Sequence, residues 1–435
     1  MISVGCRHLM SRIAAWHLLI LLVSWGGSAR GEEPVSSGDE RSSAMPRYET
    51  PLAGEASSES VWGHHVDIPV RDRRNTLALT LGGTLFLPAL GSSDALPMAA
   101  LYWRRESPGS RTRLVFSAFD NELDHALKYD KFELLAHLEN MTIPFPSKEI
   151  VGGTEVKASS IVWGEAAAWV GAGYRLPVAP FQSDNDLRLQ IFYEGGYLYS
   201  SRTVDTGPDV RLPPDTATNG VRVRVRYDGM RRNIMELLHK GVAGGLDVEW
   251  QSRAHWSDAN YGGADYQKDE TQEFAKLSGY LIAAAPVPGL SERDRMIFSV
   301  YGGTTVEEDL DRFSAFRIGG PFPNESHDLA RVPYPGAEFN QFPVSDYVVG
   351  TAEYRREILF FLYLHLRGTI AWANRDVLTS QPLRFRQSRG QVLSVGLTSG
   401  FPWDSMLYLE YSYDSGILRN GISGNSMLLL WSKSF

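Results

Sequence analysis

The sequence predicts an all-β protein, a transmembrane antiparallel β-barrel of 16 strands, with 14 if the first two strands fail. Three observations predict it. The last ten residues put Met427, Leu429, Trp431 and Phe435 on one face of a strand and end on an aromatic carboxylate; Trp431 and Phe435 read as the sorting signal of a bacterial outer-membrane barrel. Segments of period-two alternation recur along the chain, separated by turn-forming residues. Beyond residue 30 the longest apolar runs are Ile358–Leu364 and Tyr280–Val287, far short of the roughly 20 residues of a spanning helix.

Residues 1–30 carry Arg7, His8 and Arg12, then an apolar stretch from Ala14 to Trp25, then small residues at 26–29, the pattern of a cleaved signal peptide. The single cysteine, Cys6, lies in that segment, so the exported chain has none. This suits a barrel closed by strand pairing that crosses an oxidising periplasm. Residues 31–59 are rich in Ser, Glu and Pro and read as a disordered periplasmic leader, with the barrel occupying 60–435. A net charge of −8 over 435 residues argues against nucleic acid as a partner. The mean hydropathy of −0.22 is no obstacle to a membrane location, because lipid-facing and lumen-facing residues alternate and their average cancels.

In chain order, strands are expected near 60–70 (the weakest), 75–90, 97–105, 111–119, 131–140, 160–175, 186–200, 220–232, 243–251, 272–286, 294–306, 346–358, 360–374, 389–400, 404–414 and 425–435. The alternation is plain in Leu187–Glu194, Val221–Tyr227, Phe360–Arg367 and Met406–Tyr413. Asn233–Lys240 has helical spacing for at most two turns. With residue 435 in the periplasm, the long connectors 141–159, 201–219, 252–271, 307–345, 375–388 and 415–424 fall outside, and short ones such as 176–185 and 401–403 fall inside. Long outside and short inside is the rule for these barrels.

In Val221–Tyr227 the valines take one face and Arg222, Arg224 and Arg226 the other. The arginines are placed in the lumen, since one on the lipid face near mid-bilayer costs about 2–4 kcal/mol. Trp103, Trp163, Tyr193, Tyr413 and Trp431 suit aromatic girdles.

The connector 307–345, the sixth on the outside, contains Phe316-Arg-Ile-Gly319-Gly320, then Arg331-Val-Pro-Tyr334, and leads into Gly350-Thr-Ala-Glu353-Tyr-Arg355. These residues, with Val395–Trp403 and Leu407–Tyr413, resemble the BamA/TamA superfamily of outer-membrane assembly and secretion barrels, the bacterial surface antigen family. The likeness extends over about 295–435. It implies that the loop folds back into the lumen, that Arg331 meets an acidic group there, with Glu353 the available partner, and that a weak seam between first and last strands accommodates a client. The chain departs from the family in having Val332-Pro333 between Arg331 and Tyr334, and Arg367 or Gly368 where an aspartate is expected. The family's periplasmic POTRA domains have no room in the at most 40 residues between signal and first strand, so substrate capture is expected from a separate POTRA-containing subunit.

Catalytic patterns are missing: no His-Glu-x-x-His, Gly-x-Ser-x-Gly, phosphate loop or zinc-spaced Cys/His cluster is present. Ser326-His327-Asp328 contains triad residue types, but adjacent loop residues do not converge as a triad does. His64-His65 and Asp124-His125 are read as polar strand-end residues. No enzyme activity, cofactor or metal is expected. The resemblance implies a role in outer-membrane protein biogenesis, insertion or translocation, with outer-membrane lipid and the barrel assembly machinery as partners. The alternative is a passive pore or structural barrel, whose lumen arginines would suit anionic solutes.

Overall fold

A computed structural model describes residues 48–118, 120–261, 264–306, 310–320, 328–338, 340–374, 388–400 and 405–435. The expected signal peptide at 1–30 and the first part of the expected leader, 31–47, lie outside the described residues.

Polar residues alternate with apolar ones so regularly that each strand acquires a wet and a greasy face, and only a closed sheet serves both. The barrel strands are β1 (Asn75–Leu90), β2 (Ser93–Glu106), β3 (Ser110–Ser117), β4 (Asp120–Tyr129), β5 (Phe132–Val151), β6 (Thr154–Pro177), β7 (Asp186–Arg202) and β8 (Thr216–Asp228). They continue as β9 (Leu238–Arg253), β10 (Glu273–Pro286), β11 (Asp294–Val306), β12 (Asp346–Leu359), β13 (Leu362–Asn374), β14 (Arg389–Ser399), β15 (Ser405–Asp414) and β16 (Gly424–Ser434). Each pairs antiparallel with its neighbours, and β16 closes on β1. Leu85 and Leu87, Ile191 and Tyr193, Val221 and Val223, Leu393 and Val395, and Met427 and Leu429 are exposed at every second position. An exposed apolar belt of this extent is a lipid-facing surface.

The expected total of 16 holds, but its make-up differs from the expectation. The weak strand near 60–70 belongs to a separate hairpin, Ser57–Val61 with His64–Ile68, and the barrel begins at Asn75, not 60. Its place in the count is taken by β4, which was missed because its two turns are so tight that the alternation of 111–140 reads as two strands, not three. The expected outside connector 141–159 is mostly strand: β5 and β6 run through it to a turn at Gly152-Gly153, both at positive φ. The helix-like stretch at 233–240 is a turn over 233–237, in which Asn233 Oδ1 accepts from the N–H groups of Met235 and Leu237, each at 3.0 Å, followed by the start of β9. Among the described residues the helix is a single short turn, Lys268–Thr271.

β1 begins and β16 finishes at one end of the barrel, called here the terminal end. The far end carries the connectors 203–215, 254–272, 307–345, 375–388 and 415–423, and 307–345 is the sixth on that side. At the terminal end the last part of the expected leader is ordered. Thr50 and Ala53 are buried; Ala53 N–H donates to Arg232 O and Ile234 N–H to Pro51 O, both at 3.0 Å, and Thr50 Oγ1 donates to Glu357 Oε2 at 2.7 Å. Backbone hydrogen bonding to the 229–237 turn therefore overrides the disorder that composition suggests for these residues.

The seam between β1 and β16 is not the weak one. It runs over ten paired positions, from Leu87–Asn425 to Ala78–Ser434, whereas β3 shares seven with β2 and six with β4. Gly82 makes the closure tight: a Cβ there would lie 2.1 Å from Leu429 O and 2.9 Å from Leu430 Cα. Gly82→Val should therefore lower the temperature at which the folded, fast-migrating form is lost on gels. Gly350→Ala, with nothing within 4 Å of its Cβ, should leave that temperature unchanged.

Candidate functional site: a charged loop latched across the lumen

The connector 307–345, called L6 below, folds back into the barrel. It begins its return with a small hairpin, Phe316–Ile318 against Phe342–Val344. Gly319 and Gly320 then pack on the limb that returns through 332–338. Gly319 O accepts from Tyr334 N–H at 2.6 Å, and Gly320 N–H donates to Glu338 O at 2.7 Å. A Cβ on Gly320 would sit 2.0 Å from Ala337 O, so the close approach of the two limbs requires glycine. Tyr334 is fully buried, meets Phe342 edge to face at 5.7 Å, and donates through its hydroxyl to Asp414 Oδ1 at 3.0 Å. Ser426 Oγ donates to Gly336 O at 3.0 Å, fastening the same limb to β16. Tyr334 thus anchors one side of L6 to β15 and β16.

The tip reaches the opposite wall. Arg331 Nη1 lies 3.1 Å from Asp120 Oδ2, and its Nη2 pairs with Glu122 Oε1, both acids on β4. The expected contact between Arg331 and Glu353 is not made. Glu353 is taken by its own wall: Arg355 at 2.7 Å, His365 at 2.9 Å and Arg367 at 3.0 Å, with Arg367 also 2.5 Å from Glu410. Charge matching along β12, β13 and β15 leaves Glu353 no reason to take a loop arginine, while Asp120 and Glu122 face the lumen across from L6.

Arg222, Arg224 and Arg226 do turn inward, with Val221, Val223 and Tyr227 exposed on the other face. They are not free lumen charges. Arg222 pairs with Glu249 and lies 3.8 Å from Glu194, and its guanidinium stacks 3.7 Å above the Trp169 ring. Arg224 and Arg226 share Asp247, at 3.3 and 2.6 Å. Arg224 and Arg226 also face Asp328 at the L6 tip. Burial by itself pushes the Asp328 carboxyl up, but Arg226, Arg224, the Ala330 N–H and Arg113 outweigh it and hold it at about 2. The tip therefore carries two opposite charges, Arg331 toward β4 and Asp328 toward β8.

Around the tip remains a cavity of about 480 Å³, whose lining includes Arg113, Arg224, Arg226, Asp328, Arg331 and Glu353. Of the two residues expected to form a sorting signal, Trp431 lies on β16, paired with Leu81 and Leu407, and Phe435, exposed just beyond the strand, donates its N–H to Leu77 O at 2.8 Å. Sequence reasoning missed Asp120, Glu122 and the role of Asp328. A signal for the first two was present: Asp120, Glu122 and Asp124 alternate as the arginines of β8 do.

Comparison with solved structures gives the fold a counterpart. The barrel superposes on CdiB from Acinetobacter baumannii with a TM-score of 0.52 at 10% identity, covering 89% of this chain and 66% of that one. The chain is CdiB-like in fold. BamA from Haemophilus ducreyi lacking POTRA domains 1–3 (TM-score 0.49, 10% identity, 88% of this chain and 75% of that one) and CdiB from Escherichia coli (0.47, 12%, 88% and 68%) are further neighbours. The outer-membrane-type barrel fold expected from the sequence thus has a solved counterpart in CdiB. No family model and no curated protein matches this chain.

Two outcomes follow from the latch. Arg331→Ala should expose L6 to external protease, at a cost of about 1–3 kcal/mol for a charge-assisted pair. Asp120→Asn with Glu122→Gln should do the same, with little added when all three are combined, and Glu353→Ala should leave the cleavage pattern unchanged. Because the Asp328 carboxyl is held below its ordinary value, its contribution is complete at neutral pH and is lost as pH falls from about 4 toward about 2.

The lumen arginines give a second test. Arg222→Glu would oppose Glu194 and Glu249 with a like charge, at a cost of order 3 kcal/mol for a broken inner pair. The folded fraction on heating gels should fall, and combining it with Glu249→Arg should restore part of it.

Proposed function

We propose that this barrel lies in the outer membrane, terminal end toward the periplasm, and takes part in outer-membrane protein assembly, insertion or translocation. The observation that carries the reading is L6 itself. It is tied to β15 and β16 through Tyr334 and Ser426 and to β4 through Arg331, so it crosses the lumen. A passive channel for anionic solutes needs unpaired cations along an open path. Here the three β8 arginines are matched by Glu194, Glu249 and Asp247. Substrate delivery falls to a separate periplasmic subunit bearing POTRA domains, and no catalytic chemistry is assigned to the barrel.

In planar bilayers the purified barrel should show no steady conductance, and deletion of 310–338 should open one. In the producing bacterium, depletion should lower the outer-membrane level of at least one other barrel or secreted protein. A steady, anion-selective conductance of the intact chain, with an unchanged outer-membrane proteome on depletion, would establish the passive pore instead.

A further inference from the structure

We propose that the lumen contains an anion site, built by Arg111 of β3, Arg175 of β6 and Arg188 of β7 close to the terminal end, and that it takes the phosphate group of a small phosphate-bearing ligand. This goes beyond the assembly reading and does not depend on it.

Strand register brings the charges together. Arg188 is directly opposite Arg175 on one side and Arg226 on the other, so three neighbouring strands present arginine at one level of the inner wall. Directly opposed side chains on one face have Cβ atoms about 4.5–5.5 Å apart, and like charges so placed repel. Arg111, reaching in from β3, stands in the field of both Arg175 and Arg188.

The acids nearby do not balance them. Asp186 is shared: its Oδ2 accepts from Arg175 Nε and its Oδ1 from Arg188 Nε, both at 2.6 Å. Glu133 lies 3.4 Å from Arg111 and 3.9 Å from Arg175. The other carboxylates around the row are already held by cations of their own. Glu106, 3.5 Å from Arg175, is 2.5 Å from Lys128 and 2.9 Å from Arg104. Asp228, whose field reaches Arg188, is paired with Arg232 at 2.7 Å, and Asp247 with Arg226 at 2.6 Å. Two carboxylates therefore serve Arg111, Arg175 and Arg188, and one positive charge is left over. Withdrawn from bulk water, such a charge is stabilised by a counter-charge.

Donors are left over as well. A guanidinium offers five N–H donors in a planar fork. Among the described residues Arg188 hydrogen-bonds through Nε alone and Arg111 through Nη2 alone, so the Nη edge of Arg188 and the Nε and Nη1 donors of Arg111 are unused. The Arg188 side chain is 31% exposed and lines the cavity, so its free edge is open to a ligand. Planar forks of this kind match phosphate oxygens. A phosphate monoester brings more than one negative charge and three strong acceptor oxygens, enough to engage both free edges.

The space around the site suits an organic phosphate. The cavity of about 480 Å³ is of the size that holds a small ligand. Phe192, Tyr280 and Leu329 supply apolar and aromatic lining, and exposed Arg71 continues the lining at the terminal end, where a ligand would enter.

The full chain, purified in an uncharged detergent, can be titrated calorimetrically at constant ionic strength with inorganic phosphate and with dihexanoyl phosphatidic acid. At least one should bind saturably, and Arg188→Gln should weaken that binding about tenfold or more, as expected for the loss of a charge-assisted hydrogen bond. Arg356→Gln, at an exposed arginine of the terminal end, should leave it unchanged. If Arg188→Gln prevents heat-modifiable migration, Arg111→Gln serves in its place. Binding of inorganic phosphate would assign a free anion, and binding of the lipid alone a headgroup; either supports the site when it depends on Arg188. No saturable binding of either probe, or binding that Arg188→Gln leaves as tight as before, would overturn it.

Discussion

Charge matching inside the lumen is the constraint on which the rest of this structure depends. A barrel strand must put polar side chains inward, and ionised groups withdrawn from bulk water are tolerable only when paired and hydrogen-bonded. Here they are paired wall to wall: β8 arginines with β9 and β7 acids, and Glu353 with cations of β12 and β13. Strand neighbours alone do not satisfy β4, whose acids outnumber what Arg113 supplies on β3. That surplus is what draws Arg331 across the barrel.

L6 can therefore be understood as the piece that completes the ledger. Its tip carries one charge of each sign, and its base adds two more that reach the wall, Asp311 to Arg253 of β9 at 2.7 Å and Arg312 to Glu149 of β5 at 3.6 Å. The limbs are also held by aromatic and steric contact, through buried Tyr334 and the Gly320–Ala337 approach. The two kinds of contact differ in consequence. Packing at the base fixes where the loop enters, while electrostatics at the tip fixes which walls it touches and makes that contact responsive to salt and acid.

Strand length distributes stability unevenly around the wall. The closing seam of β1 and β16 has ten paired positions and glycine-tight packing, so closure is firm there. The shortfall lies at β3, with six and seven, fewer residues than the 9–11 of an ordinary spanning strand.

Much of this was legible in the sequence. Period-two alternation set the fold class and the inward face of Arg222, Arg224 and Arg226, because side-chain direction along a strand is a local property. Gly319, Gly320, Arg331 and Tyr334 were recognisable as a loop that enters the lumen. Which residues meet there was decided by the tertiary structure alone. Arg331 pairs with Asp120, about two hundred positions away in sequence, and not with Glu353, because barrel closure sets which strands face each other across the lumen. Alternation is written residue by residue; register and closure arise from all sixteen strands together.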